Sequence, residues 1–176
     1  AHELDEPQLA LAHPPQPLRH LTLQRLVGLR GESLRLAAQR VETLLAQAHR
    51  LGVPTASHDD DSVQRIATMR NLGVSMSEFP INLDTATAAV SCGLPTILGA
   101  PNILRGQSQS GSMRAIDAVR AGVAGCLCSD YQPSTLITAA FAVAAQTDLT
   151  LSQAIALVTA NPADACKLSD RGRLVQ

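Results

Sequence analysis

Residues 52–58 read GVPTASH, residues 73–78 GVSMSE, residues 93–102 GLPTILGAPN and residues 122–130 GVAGCLCSD. Each phrase opens on a glycine that closes a helix-period stretch. It then passes into a short apolar run that stops at a polar residue: His58, Glu78, Asn102 or Asp130. Glycine just past a helix supplies the left-handed residue that ends it. The runs behind it, rich in Val, Ile and Thr, read as strands buried on both faces.

Helices fill the intervals. Residues 33–51 place Leu34, Ala37, Ala38, Val41, Leu44, Leu45, Ala48 and Leu51 on one stripe, with Ser33 as the cap. Ser112 can cap a helix carrying Met113, Ile116 and Val119. Thr150 and Gln153 form the capping box of a last helix, expected to stop before Asn161-Pro162. Strand alternating with helix implies a parallel sheet, because parallel strands need crossover helices. Successive glycines lie 21, 20 and 29 residues apart, one βα step each. Residues 8–12, ending at His13, are a candidate fifth strand inside an otherwise irregular segment 1–32. There Pro14, Pro15 and Pro17 favour a loop leading into a short helix. The fold class is therefore α/β, built of parallel βα repeats over 33–176. A closed (β/α)8 barrel takes about 250 residues, so the chain is a small open sheet or part of a barrel. A part-barrel leaves two sheet edges that need a partner.

The 176 residues are 45% hydrophobic and 16% charged with a net charge of −1, enough apolar material for one globular core. Near-neutrality argues against a nucleic-acid or membrane-surface partner. The longest predominantly apolar stretch, 136–145, is far short of the roughly 20 residues of a membrane span. No signal-peptide layout opens the chain, so a cytoplasmic location is expected. Cys92, Cys126, Cys128 and Cys166 form no C-x-x-C pair and read as small buried hydrophobes in a reducing compartment. The three aromatics are Phe79, Tyr131 and Phe141, so the core must be packed with Leu, Ala, Val and Ile.

In parallel α/β folds ligands bind at the carboxyl ends of the strands, where the four polar stops fall. His58, beside Asp59, Asp60 and Asp61, suits a metal ligand with orienting carboxylates; the same aspartates suit the positive end of a helix. Asp130 can bind a metal and accept the proton of a water, or cap a helix beginning near Ser134. The Gly/Ser-rich run 106–112, with Ser108 and Ser110, leads into a helix and presents backbone N–H groups to an anion. Arg105 adds a forked donor, although a plain surface loop would read the same way. Phe79 and Tyr131 flank the strand ends.

Six strings occur in order: S-H-D-D (57–60), E-F-P (78–80), G-A-P-N-x-x-R-G (99–106), S-D-Y-x-P (129–133), N-P-A (161–163) and D-R-G (170–172). Together they closely resemble the C-terminal half of the PhnM family of phosphonate-metabolism enzymes in the amidohydrolase superfamily. The resemblance implies part of a (β/α)8 TIM barrel with a divalent metal, zinc first and manganese or magnesium as alternatives. It also implies hydrolysis of α-D-ribose 1-methylphosphonate 5-triphosphate to the 5-phosphate and diphosphate. Carried over by position, His58 and Asp130 are metal ligands, and Asp130 is also the catalytic proton acceptor. His13 matches a further ligand in L-A-L-A-H-P-P (9–15). Arg105, Asn102, Ser108, Ser110, Tyr131 and Glu78 would face the phosphorylated small-molecule substrate. The family's first-strand His-x-His or His-x-Asp motif does not occur, and its G-G-S-H-S-G-N loop reads G-Q-S-Q-S-G-S at 106–112. The chain alone is therefore expected to bind metal weakly and hydrolyse slowly. It would be completed by a missing N-terminal half or by a homo-oligomeric partner. Two other readings remain: hydrolysis of a cyclic amide C–N bond on the same scaffold, and a non-catalytic half-barrel that needs a partner chain.

Overall fold

The structure, a computed structural model, describes residues 16–108 and 111–174. The chain divides after Val41 into two compact units, and α1 (Gln16–Arg50) begins in the first and ends in the second. The second unit continues with β1 (Ala56–His58), α2 (Val63–Asn71), β2 (Met76–Glu78), α3 (Leu83–Ser91), β3 (Thr96–Gly99) and α4 (Ala100–Arg105). It ends with α5 (Ala115–Arg120), β4 (Cys126–Cys128), α6 (Thr135–Gln146), α7 (Leu151–Ala156) and α8 (Ala160–Ala165). The four strands form one parallel sheet in sequence order, β1-β2-β3-β4. The fold is α/β, as the repeated phrase implies.

The helix stops set the spacing. Gly52, Gly73, Gly93 and Gly122 all take positive φ, between 68° and 83°. In each case the next residue donates its N–H to the carbonyl five positions back: Val53 to Ala48, Val74 to Met69, Leu94 to Ala89 and Val123 to Ala118. This closure satisfies the last carbonyls of the helix. Val74, Leu94 and Val123, the first apolar residues of their strand segments, are buried, whereas Val53 ahead of the edge strand β1 is exposed.

Register and alternation put Ser57, Ser77, Thr96, Leu98 and Leu127 on the same face of the sheet. Leu98 and Leu127 pack there on Ala100, Ile103, Ala115, Ile116, Ala139 and Val143 of the helices. Contacts this rich in alanine let helices approach the sheet closely, which a core with almost no aromatic rings requires. A second, smaller cluster joins Ile66 of α2 and Ala89 of α3 with Leu94. Among the described residues no helix is long and apolar enough to cross a membrane.

Several local expectations are corrected. Residues 16–32 are helical, not a loop, and Ser33 lies inside α1. Pro17 sits in the first turn, where its missing N–H has no intrahelical partner to lose. The helix opened by Thr150 does stop before Asn161-Pro162, α7 ending at Ala156, but it is not the last: α8 follows, with Pro162 in its first turn. The Thr150–Gln153 capping box is present. Ser112 does not cap α5, whose cap position is Arg114. The aspartates 59–61 do not cap α2; Ser62 does, accepting from the Arg65 N–H. Cys126 is buried, but Cys92 and Cys166 are exposed, and all four cysteines are free. The strands are three or four residues long. Residues 8–12 lie outside the described residues.

Two consequences can be measured. A Cβ at Gly125 would lie 2.9 Å from the Thr96 carbonyl oxygen and 3.0 Å from its nitrogen. These are backbone atoms that cannot swing aside. Gly125→Ala should cost about 1–3 kcal/mol in urea unfolding through forced displacement of β4 from β3. Burial, reinforced by nearby Cys166, Cys128 and Asp164, pushes the Cys126 thiol up to about 11. At pH 8 iodoacetamide should therefore modify Cys92 and Cys166 in the native protein and reach Cys126 only after unfolding. Because this pKa is raised on folding, the associated stability is intact below about pH 8.5 and is lost as pH climbs towards 11.

Candidate active site at the strand ends

The parallel sheet delivers its carboxyl ends to one rim. His58 ends β1 beside Glu78 of β2, and Gly99 of β3 pairs with Cys128 of β4. Just past three of these ends the chain turns through a left-handed residue that is not glycine: Asp59 at φ 54°, Phe79 at 53° and Asp130 at 51°. Such a conformation costs of order 1–3 kcal/mol and persists only where the surroundings enforce it. Here the sheet enforces two of the three. The Asp59 N–H donates to the Glu78 carbonyl at 3.0 Å, and the Phe79 N–H donates to the Ile97 carbonyl at 2.9 Å.

These turns open a cleft of about 400 Å³ lined by His58, Asp59, Phe79, Gly99, Asn102, Arg105, Ser108 and Asp130, with Leu98, Pro80, Met113 and Ser112 completing it. The His58 Nδ1 lies 3.0 Å from an Asp59 carboxylate oxygen. An N–H donated there leaves Nε2 as the ring's lone-pair nitrogen. The imidazole meets Phe79 edge to face, with centroids 5.1 Å apart and planes at 84°. A Cβ built on Gly99 would touch Phe79 Cε1 at 3.7 Å and Asp130 Oδ2 at 3.8 Å. The glycine thus leaves a notch between ring and carboxylate. His58, Phe79, Gly99 and Asp130 follow one another around the rim in strand order.

The far wall is cationic. Arg105 donates from Nη1 to the Tyr131 hydroxyl, and its guanidinium carbon lies 5.9 Å from the centre of that ring. Tyr131 is exposed and braces the arginine without lining the cleft. Asn102 lines the cleft, but its amide is used elsewhere: Nδ2 donates to the Met113 carbonyl at 3.2 Å, and Oδ1 accepts from the Ala115 N–H at 3.0 Å. It clasps the ends of the loop between α4 and α5 and supplies the cap that Ser112 does not. Glu78 stands beside the cleft, close enough that it and Asp130 help raise the Cys128 thiol above its ordinary range. Burial is the main cause of that shift, and the Asp130 N–H opposes it. His13 and Ser110 lie outside the described residues.

A residue that motif reading placed at the helix end belongs to the sheet. Asp60 is wholly buried and accepts from the Ser57 hydroxyl at 2.5 Å and the Ser77 hydroxyl at 2.6 Å. Each serine sits one residue before its strand's polar stop, a recurrence visible in the two phrases. Phe79 in a left-handed turn has no comparable signal, since the conformation is imposed by the neighbouring strand.

A divalent metal wants about four donors. His58 and Asp130 offer two at this cleft, and among the described residues no three of His, Cys, Asp and Glu converge on one point. The described residues do not by themselves make a metal centre.

The model described as amidohydrolase family matches residues 33–174. Over 147 residues the chain is 40% identical to the alpha-D-ribose 1-methylphosphonate 5-triphosphate diphosphatase of Escherichia coli (strain K12). The alignment covers 80% of this chain and 39% of that protein, so the chain spans well under half the length of the curated relative it matches.

The clasp gives a direct test of the loop geometry. Asn102→Ala strips partners from the Met113 carbonyl and the Ala115 N–H, and should cost about 1–3 kcal/mol in urea unfolding. Amide exchange should accelerate at Ala115 and leave Leu98 and Leu127, at the core of the sheet, near their original rates.

Proposed function

The chain belongs to the amidohydrolase family, and on that premise we propose that its cleft is one wall of the active site of a phosphonate-metabolism hydrolase. The reaction is cleavage of α-D-ribose 1-methylphosphonate 5-triphosphate to the 5-phosphate and diphosphate. What carries the proposal is the convergence of His58, Arg105 and Asp130, from three separate motifs, on a single cleft. Likeness to a curated protein whose name states that chemistry supports it further.

The residues divide the work by charge. Arg105, braced by Tyr131, offers a forked, permanently charged donor to phosphate oxygens and stabilises the negative charge that builds on departing diphosphate. In this proposal Asp130, which lines the cleft, takes the proton of the attacking water as its oxygen bonds to phosphorus and the bridge to diphosphate breaks. His58, held by Asp59 and Phe79, presents one ring nitrogen to the same space. Ser108, which lines the cleft, extends the anion-binding wall, and Ser110 is proposed to act with it. Amidohydrolases generally use divalent metals; zinc, with manganese or magnesium as alternatives, would take His58 and Asp130 only together with further donors, His13 among the candidates. No step is assigned to the ion here. With two donors, turnover by these 176 residues alone is expected to be slow. Completion by a second copy or by another chain belongs to the same proposal.

Binding is therefore the first readout. Inorganic diphosphate, titrated calorimetrically, should bind the wild-type chain, and Arg105→Ala should weaken it about tenfold, or about 1.4 kcal/mol. Asp130→Asn should leave diphosphate affinity within about threefold and abolish whatever diphosphate release phosphorus NMR detects from the triphosphate substrate. Failure of wild type to bind diphosphate at millimolar concentration, or hydrolysis of a cyclic amide with no diphosphate release, overturns the proposal.

A further inference from the structure

Both edges of the described sheet, β1 and β4, are strands of three residues, but β4 is also tied to the chain beyond it, the Leu127 N–H donating to the Leu157 carbonyl at 2.8 Å. Among the described residues β1 has one neighbouring strand, and Ala56 and His58 on it are exposed. In a ladder this short, a slip of one residue would carry His58 to the opposite face and Ser57 into the cleft. Something besides the ladder must hold the strand in place.

Ser57 and Ser77 are register partners on β1 and β2. Both hydroxyls donate to the same oxygen of Asp60, which is wholly buried. The Asp60 carbonyl accepts the Ile81 N–H at 3.0 Å, tying the turn after β1 to the turn after β2. The second carboxylate oxygen has no hydrogen-bond donor; the cation beside it is Arg65, with Nε at 3.5 Å. A buried carboxylate is a costly way to stabilise a fold, since apolar side chains of similar volume often do as well or better. The best-attested gain from such a group is register.

We propose that Asp60 is a positioning residue: a latch that fixes the register of β1 on β2 and thereby holds the His58 imidazole in the cleft against Phe79. A strand slipped by one residue cannot satisfy the latch, because the slip turns the Ser57 hydroxyl to the opposite face from Ser77 and Asp60. The left-handed turn at Asp59 is what brings Asp60 back beneath the strand it has just left. The latch takes its functional meaning from the cleft proposed above as an active site, but its test needs no substrate. Absent diphosphate binding would end that proposal and leave this one standing.

In the intact wild-type chain, proton NMR should show a cross-peak between the rings of His58 and Phe79. Asp60→Leu combined with Ser57→Ala and Ser77→Ala replaces the polar cluster with an apolar one. The expected result is a cooperatively folded protein in which that cross-peak is lost and the His58 ring signals broaden or double. Ser77→Ala alone, the milder change, should fold and weaken the cross-peak at least twofold. Ile66→Val, which loosens the neighbouring core without touching the latch, should leave it unchanged. The proposal is overturned if wild type lacks the cross-peak, if Ser77→Ala or the folded triple variant keeps it at full intensity, or if Ile66→Val weakens it equally.

Discussion

The helix-ending turn at glycine is the constraint on which the rest depends. A residue of positive φ just past a helix lets it close with its last carbonyls satisfied and its chain turned back toward the sheet. Gly52, Gly73, Gly93 and Gly122 do so in the same manner. Each stop launches the next strand three or four residues past its glycine. Four launches of equal geometry put four short parallel strands in step, and strands in step finish at one rim. The cleft follows from where the helices stop.

That is also why the fold was readable from the residues. A glycine that closes a helix-period stretch and leads into a short apolar run with a polar stop has one strong backbone meaning, and that phrase occurs four times. Proline misled because its meaning depends on position. Pro17 reads as a breaker but sits in the first turn of α1, and Pro162, before which α7 has ended, falls in the first turn of a further helix. Aspartate misled for a related reason. Asp59, Asp60 and Asp61 looked alike in the chain, yet one pairs with His58 and the next is fully buried between two serines. Burial of that kind is decided by a strand 17 residues away, which no local pattern contains.

Of the site, the polar stops His58, Glu78 and Asp130 were legible because carboxyl ends of parallel strands are where such folds bind; Asn102, also read as a strand stop, lies in α4, since β3 ends at Gly99. The partners were not. That Asn102 would spend its amide on the loop, that Tyr131 would brace Arg105, and that Phe79 would stand against His58 are all consequences of contacts between separate βα units. Gly99 is the clearest case. In the sequence it is one more glycine before a helix; in the structure its missing side chain leaves the gap between Phe79 and Asp130.

The residues that end helices and fill the core and those that line the cleft are largely separate sets, for the former lie at the start and middle of each strand segment and the latter just beyond its end. Replacing a rim residue therefore exchanges reactivity without disturbing the scaffold. A lineage built on this plan can retool one position at a time, as a socket accepts different bits. Asp60 is the exception, a residue of the interior whose loss would be felt at the surface, and so the place where such retooling meets resistance.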